Sequence, residues 1–437
     1  MLSLQSNNFI SVLRTACGNS KQPLYQPDWS AMAQVARAQS LTALFHEGAR
    51  QYDEFVSWDA PERQQLQAET MACVVGQMQR TQRFLGLYQK LLTAGLRPIV
   101  LKGILCRVLY GPLADYRPSC DEDLYVPPEQ IAAAHEVLQQ NDWQMTSHPE
   151  SLAVPETLQV IGYEDGQGIL PLEVHPTWAG TGSPRQDAEN ACFAAADERA
   201  VVVEVEGIPL LSLEPTDHYL YLFLHLAKHF ELAGVGLRQI IDLAQFQRAY
   251  DDQIDWRRVR REIRELSSPS LHADAMQIAR LLGFEVQELF RPVDSDRLLD
   301  DCLTGGVFGF AREGHGRGAI LSIAARYPTK ASRLRRLVAP SVSQLQDGRP
   351  WLVGRPWLLP VAWAQRAGRL MFDGKWSRIT AGALKEAHQR LELLRRYGLA
   401  AGEQAAHRSA QGGGTITNDP SEQGHDQHDQ TPGGATS

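Results

Sequence analysis

Apolar positions recur at helical spacing through LTALF, and a long stretch from Glu62 to Ala94 carries no proline and only Gly76 and Gly86 as glycines. Spacings of three and four put such positions on one helix face. Residues 1–97 are therefore expected to form an N-terminal helical layer. Gly95 closes the last of these helices as a C-cap, Pro98 follows, and PIVLKG has the short, β-branched character of a buried strand ending at Lys102. Helix-like spacing returns from Gly103 to Tyr110, GPLADYRPS makes a loop, and DEDLYV reads as a second strand that stops before Pro127 and Pro128. A helix over 128–141 follows. Two strand-like runs, Thr157 to Tyr163 and Ile169 to His175, flank EDGQG, whose glycines suit a tight hairpin turn. A further pair is expected at Ala200 to Val205 and Ile208 to Leu211. From Asp217 onward the pattern is helical, opened by the capping sequence Pro215-Thr216-Asp217.

This order of elements predicts an α+β protein. It divides into a helical region over 1–97, a sheet-bearing core over 98–213 and a helical domain over 214–400. A chain of 437 residues exceeds what one hydrophobic core normally organises. Beyond about Ala401 the composition turns to Gly, Ser, Thr, Gln, Asp and His, which bury too little to offset their ordering entropy. Residues 401–437 are expected to be a disordered tail.

A hydrophobic fraction of 43% and a charged fraction of 22% fit a globular protein that buries a core. The opening MLSLQSNNFISVLRTACG lacks the basic start and unbroken apolar run of a secretory signal. The most apolar window, WLVGRPWLLPVAW, is too short to span a bilayer and holds Arg355, Pro356 and Pro360. Cys17, Cys73, Cys106, Cys120, Cys192 and Cys302 are scattered without a C-x-x-C pair, which fits a reducing, cytoplasmic compartment. The net charge of -8 is uneven, because residues 311–400 hold seventeen Lys and Arg against five Asp and Glu. That basic half, with Arg333, Arg335 and Arg336 in SRLRRL, reads either as a solvated helix face or as a surface for an anionic partner.

The chemistry-bearing residues lie in the sheet-bearing core. Asp121 and Asp123 stand two apart on an expected strand, so both carboxylates project from one face and can share a hard divalent cation. Mg²⁺ is typically held by one or two carboxylates plus substrate phosphates, and a third carboxylate completes the two-metal arrangement of phosphoryl and nucleotidyl transfer. Glu173, at the end of the strand in LPLEVHP, is the candidate third group, and the same period places His175 on its face. An Asp-x-Asp in an ordinary polar turn is the competing reading, and spacing alone leaves both open.

PIVLKG, the short helix after it, RPSCDEDLYV and ILPLEVH together resemble the uncharacterised bacterial nucleotidyltransferase family of the polymerase-beta-like superfamily. YLYLFLHLAKHFELAGVGLRQIIDLAQF is similar to that family's helical region, so the resemblance covers about residues 90–260. It implies a small mixed polymerase-beta-like sheet and metal ligation by Asp121, Asp123 and Glu173, with Mg²⁺ (or Mn²⁺) as cofactor. It also implies that Gly103 lets the backbone approach the nucleotide phosphates and that Lys102 and Arg117 contact the triphosphate or acceptor; strand periodicity, independently, sets Glu173 and His175 to flank the reacting hydroxyl. Glu122 stands where the family carries an apolar residue. On strand periodicity it faces away from the aspartates, where an edge strand would let it reach solvent or a cation.

The function implied is transfer of a nucleoside monophosphate from an NTP, with ATP the favoured donor, to a metabolite, peptide, protein or RNA acceptor. Alternatives are a regulatory protein that binds nucleotide without turnover, and transfer of the γ-phosphate. His225 and His229, four apart on one helical face, read as helix packing or as half of a zinc site, and His229 or Asp242 reads alternatively as lining the cleft between the sheet and the helical domain.

Overall fold

A computed structural model describes residues 3–59, 61–147, 152, 160–179, 186–232, 234–305, 356–372 and 391–399. Five helices open the chain: α1 (Leu4–Ala16), α2 (Trp29–Ala38), α3 (Thr42–Ala49), the short α4 (Asp53–Val56) and the long α5 (Pro61–Thr93). Side chains cap the first two, Ser3 accepting from the Ser6 amide and Asp28 from the Ala31 amide. After α5, Gly95 sits at φ +81°, and the Gly95 and Leu96 amides donate to the Leu92 and Leu91 carbonyls in a Schellman pattern.

Seven strands form one mixed sheet: β1 (Ile99–Val100), β2 (Glu122–Tyr125), β3 (Trp143–Met145), β4 (Ile161–Asp165), β5 (Pro171–His175), β6 (Val201–Val205) and β7 (Ile208–Ser212). Their order is β3-β4-β5-β2-β1-β7-β6, which puts β2 and β1 at the centre. The helices α6 (Ile104–Val108), α7 (Ile131–Gln140) and α8 (Gln186–Cys192) lie between strands. β1 is shorter than the expected run to Lys102. The Leu101 amide still donates to the Asp123 carbonyl, and the chain then turns at Gly103. The helix expected over 128–141 begins with a single 3-10 turn, Pro128–Gln130. β3 went unread because three residues show no measurable alternation. Residues 157–159 of the expected Thr157 strand lie outside the described residues.

The two sheet faces pack against different helices. Val100, Leu124, Leu172 and Val174 meet Phe84, Leu87, Tyr88 and Leu91 of α5 and Ile131 and Leu138 of α7. Ile99, Leu101 and Tyr125 point the other way, into a core shared by α1–α4 and the later helices. Those are α9 (Pro215–Leu232), α10 (Leu237–Tyr250), α11 (Trp256–Leu266), α12 (Pro269–Leu281) and α13 (Ser295–Gly305). Residues 391–399 join the same core, with the Tyr397 hydroxyl donating to Asp274 at 2.8 Å. A further helix, α14 (Leu359–Phe372), covers part of the basic region, most of which lies outside the described residues together with the whole expected tail 401–437.

His272 of α12 is fully buried, with Nε2 2.9 Å from the Tyr219 hydroxyl of α9 and Nδ1 without a hydrogen-bond partner. Burial lowers its pKa from 6.5 to about 3. As pH falls below 6.5 the unfolded chain takes up a proton that the folded state refuses until about 3. Stability is therefore lost on acidification through that window, at roughly 1.4 kcal/mol per pH unit. His272→Gln, which still accepts from Tyr219, is expected to lose about 1 to 2 kcal/mol less than the parent between pH 6.5 and pH 5 in urea denaturation. Identical slopes would contradict a neutral buried imidazole.

Candidate active site

β2 and β5 run parallel, with Asp123 beside Glu173 and Tyr125 beside His175. Since Leu124, Leu172 and Val174 face α5, the period of two turns Asp123, Glu173 and His175 to the opposite face. There His175 Nε2 lies 3.0 Å from Asp123 Oδ1 and 3.7 Å from Glu173 Oε2. One ligand atom from each of Asp123, Glu173 and His175 falls within 4.8 Å of the others, close enough to hold one metal ion. Asp121 immediately precedes β2 and joins this group through Lys102. The Lys102 Nζ is 2.9 Å from Asp123 Oδ2 and 3.5 Å from Asp121 Oδ2.

Burial alone would raise the pKa of Asp123, yet Lys102 and the His175 hydrogen bond outweigh it and hold the carboxyl well below its ordinary value. Glu173 moves the other way, raised first by burial and then by the charge of Asp123. Like charges at this range cannot both ionise freely. Burial would lower Lys102, but Asp123 and Asp121 keep it firmly protonated. The strands thus present one carboxylate locked in the ionised form and one poised to exchange a proton.

Glu122 departs from expectation. It lies on a central strand, not an edge, and is 1% exposed. Its Oε2 accepts from the Ile104 amide at 2.8 Å, the first amide of α6, where the helix end favours negative charge. Burial pushes its pKa up to about 7, against the pull of Arg107 and that amide. Gly103 is fixed by the same contact. It sits at φ +67°, and a Cβ there would lie 2.0 Å from Glu122 Oε2, so glycine is demanded by backbone and neighbour together.

Arg117, expected at the triphosphate or acceptor, has its donors engaged inside the protein. Nε and Nη2 donate to the two carboxylate oxygens of Asp242 at 3.0 and 2.5 Å, and Nη1 donates to Ser119 Oγ at 2.7 Å. The Tyr110 hydroxyl donates to the same carboxylate at 2.8 Å. Gln77 Oε1 accepts from the Ser119 amide, Arg80 donates to the Ser119 carbonyl, and Arg238 donates to the Pro118 carbonyl. The loop before Asp121 is therefore clamped between α5 and α10. Sequence reasoning missed Arg238 and Gln77 as positioning residues and read Asp242 as cleft lining without its partner Arg117, since their only signal is a polar side chain on an apolar helix face.

A family model described as an uncharacterised nucleotidyltransferase matches residues 25–283. The chain belongs to that family. In this nucleotidyltransferase the matched span includes every strand of the sheet and each residue of the carboxylate cluster. No curated protein and no solved structure matches the chain. Nucleotidyltransferases usually work with a divalent metal, and the carboxylate and imidazole donors here fit one. Among the described residues this cluster alone brings three such groups to ligating distance.

Removing one partner of a buried ion pair strands the other charge, at a cost of roughly 3–5 kcal/mol. Arg117→Met is expected to lower the unfolding free energy of the nucleotide-free enzyme by about that much, with Asp242→Leu in addition costing far less than a second such loss. Unchanged nucleotide-free stability would return Arg117 to a ligand-contacting role.

Proposed function

We propose that this enzyme transfers a nucleoside monophosphate from an NTP, with ATP the favoured donor, to an acceptor hydroxyl or phosphate, releasing pyrophosphate. The observation that carries the reading is the Asp123, Glu173 and His175 cluster on adjacent parallel strands, in a chain of the nucleotidyltransferase family. Asp121, Asp123 and Glu173 hold Mg²⁺ (or Mn²⁺), which when bound offsets the charge developing on the transferring phosphoryl group. Asp123 remains ionised under Lys102 and His175, so it holds a cation without competing for a proton. Glu173, half-buried beside Asp123, holds the metal next to the attacking oxygen and is placed to take its proton. The new bond joins that oxygen to the α-phosphorus, and the bond from the α-phosphorus to the bridging oxygen breaks. His175 keeps Asp123 oriented through its 3.0 Å contact.

Lys102 lies at the edge of the cluster, where it can pass from the aspartates to substrate phosphate. Gly103 keeps the chain free of a side chain at that turn. The free cysteines fit a reducing, cytoplasmic setting. No helix among the described residues is long and apolar enough to cross a membrane.

Incubation with Mg²⁺, cell extract and ATP labelled at the α-phosphate tests the reading. Label is expected to pass to an acceptor with release of pyrophosphate, and Asp123→Asn is expected to reduce the transfer by roughly a hundredfold or more. Release of ADP with label left on the nucleotide would establish γ-phosphate transfer instead. Carboxylate-dependent ATP binding without turnover would establish the regulatory alternative.

A further inference from the structure

The sheet face that carries the carboxylates is the one on which α9 packs, and the placement of α9 is fixed at its first turn. His218 Nδ1 lies 3.1 Å from Ser212 Oγ, and Ser212 ends β7 directly beside Val100 of β1. Positions at helical spacing from His218 therefore continue along the end of β1, where Lys102 stands. They are Tyr221, His225, Lys228 and His229. Tyr221 stacks on His225 with ring centroids 6.0 Å apart, and the Nε2 atoms of His225 and His229 are 2.9 Å apart. His225 and His229 keep some exposure, while the Tyr221 ring beneath them is buried.

Two imidazole nitrogens this close suggest a transition-metal chelate, but their surroundings oppose one. Lys102 and Lys228 bear on both rings, and among the described residues no third ligand joins the pair. Burial, followed by Lys102, lowers His225 well below its ordinary value and His229 to about 4, so both rings are neutral at pH 7; their mutual contact joins the Nε2–H of one to the Nε2 lone pair of the other, and the accepting ring keeps its Nδ1–H to donate. Tyr221, its ionisation pushed far up by burial and by Asp123, remains an O–H donor. A face of donors and ammonium groups set opposite carboxylates suits an anion that must lie against a negatively charged site.

We propose that Tyr221, His225, Lys228 and His229 of α9, with Lys102, form a polyphosphate-binding wall that receives the β- and γ-phosphates of the nucleotide while its α-phosphate lies at Asp123. The identity of the anion rests on the nucleotidyl-transfer reading, whereas the wall itself rests on the geometry of α9. The wall makes the triphosphate, not the nucleoside, the part of the donor that this helix recognises.

Inorganic tripolyphosphate is the direct probe. Titrated calorimetrically without divalent cation, it is expected to bind the full chain and to bind His225→Gln/His229→Gln about tenfold or more weakly. Equal affinities, or no binding to the parent, would overturn the wall. Because the double variant is open to misfolding, the parent is also treated with diethyl pyrocarbonate. Tripolyphosphate is expected to slow modification of His225 and His229 several-fold by peptide mass analysis, and unchanged modification would likewise overturn the wall. The two readings fail separately. Tripolyphosphate binding that depends on α9, in a protein that transfers no α-label, would keep the wall and remove nucleotidyl transfer. Transfer with an ATP KM indifferent to the α9 substitutions would do the reverse.

Discussion

Because strand side chains alternate between faces, the register in which β2 lies beside β5 decides whether the acidic groups meet at all. In the observed register Asp123 neighbours Glu173, and Leu124 neighbours Val174 on the other face. A slip of one residue would carry Glu173 and His175 into the apolar layer under α5 and bring Leu172 and Val174 to the cluster. The buried aliphatic side chains thus hold the charged ones in place. Hydrophobic contact with Phe84, Leu87 and Tyr88 selects the register, and the carboxylates occupy the positions it leaves. Tyr88 adds a polar clamp, donating to the Pro98 carbonyl and accepting from the Leu211 amide on either side of the short β1.

Concentrating like charge at the centre of a sheet requires compensation nearby, and the structure supplies it at three levels. Lys102 lies between Asp121 and Asp123. The Glu122 carboxylate sits on the opposite face at the start of α6, with Arg107 near enough to oppose its burial. Farther out, Arg117 and Asp242 neutralise each other and bind the loop before β2 to α10. Each device returns to a buried ion some of the stabilisation it lost on leaving water. The last also makes the approach to Asp121 depend on a helix more than a hundred residues distant in sequence.

Much of this was legible in the chain. The strands around Lys102, Asp123 and His175, both hairpins and the long α5 followed from periodicity and from glycine and proline punctuation. That Glu173 and His175 share a face followed from a period of two, whereas their meeting with Asp123 depends on the register of β2 beside β5. The environment of Glu122 was not legible, since whether a strand lies at the edge or the centre of a sheet depends on pairing between distant segments. The inward pairing of Arg117 was not legible for a related reason, because its partner Asp242 stands 125 residues away. Gly103 was recognised as special, but half of the cause, the Glu122 carboxylate against its Cα, appears only in three dimensions.

Beyond the acidic cluster, the same two strands end in aromatic rings. Tyr125 follows Asp123 by two residues on β2, Trp178 follows His175 by three after β5, and their rings stack with centroids 3.9 Å apart and planes 10° from parallel. Trp178 then leans on Phe193, and Phe193 on Tyr221 of α9. Two unlike chromophores held so near, with ring planes so nearly parallel, couple their electronic transitions, and the coupling varies steeply with their separation. The enzyme therefore carries beside its chemistry an intrinsic optical gauge. Small changes in the spacing of β2 and β5 register as near-ultraviolet circular dichroism, with no label attached.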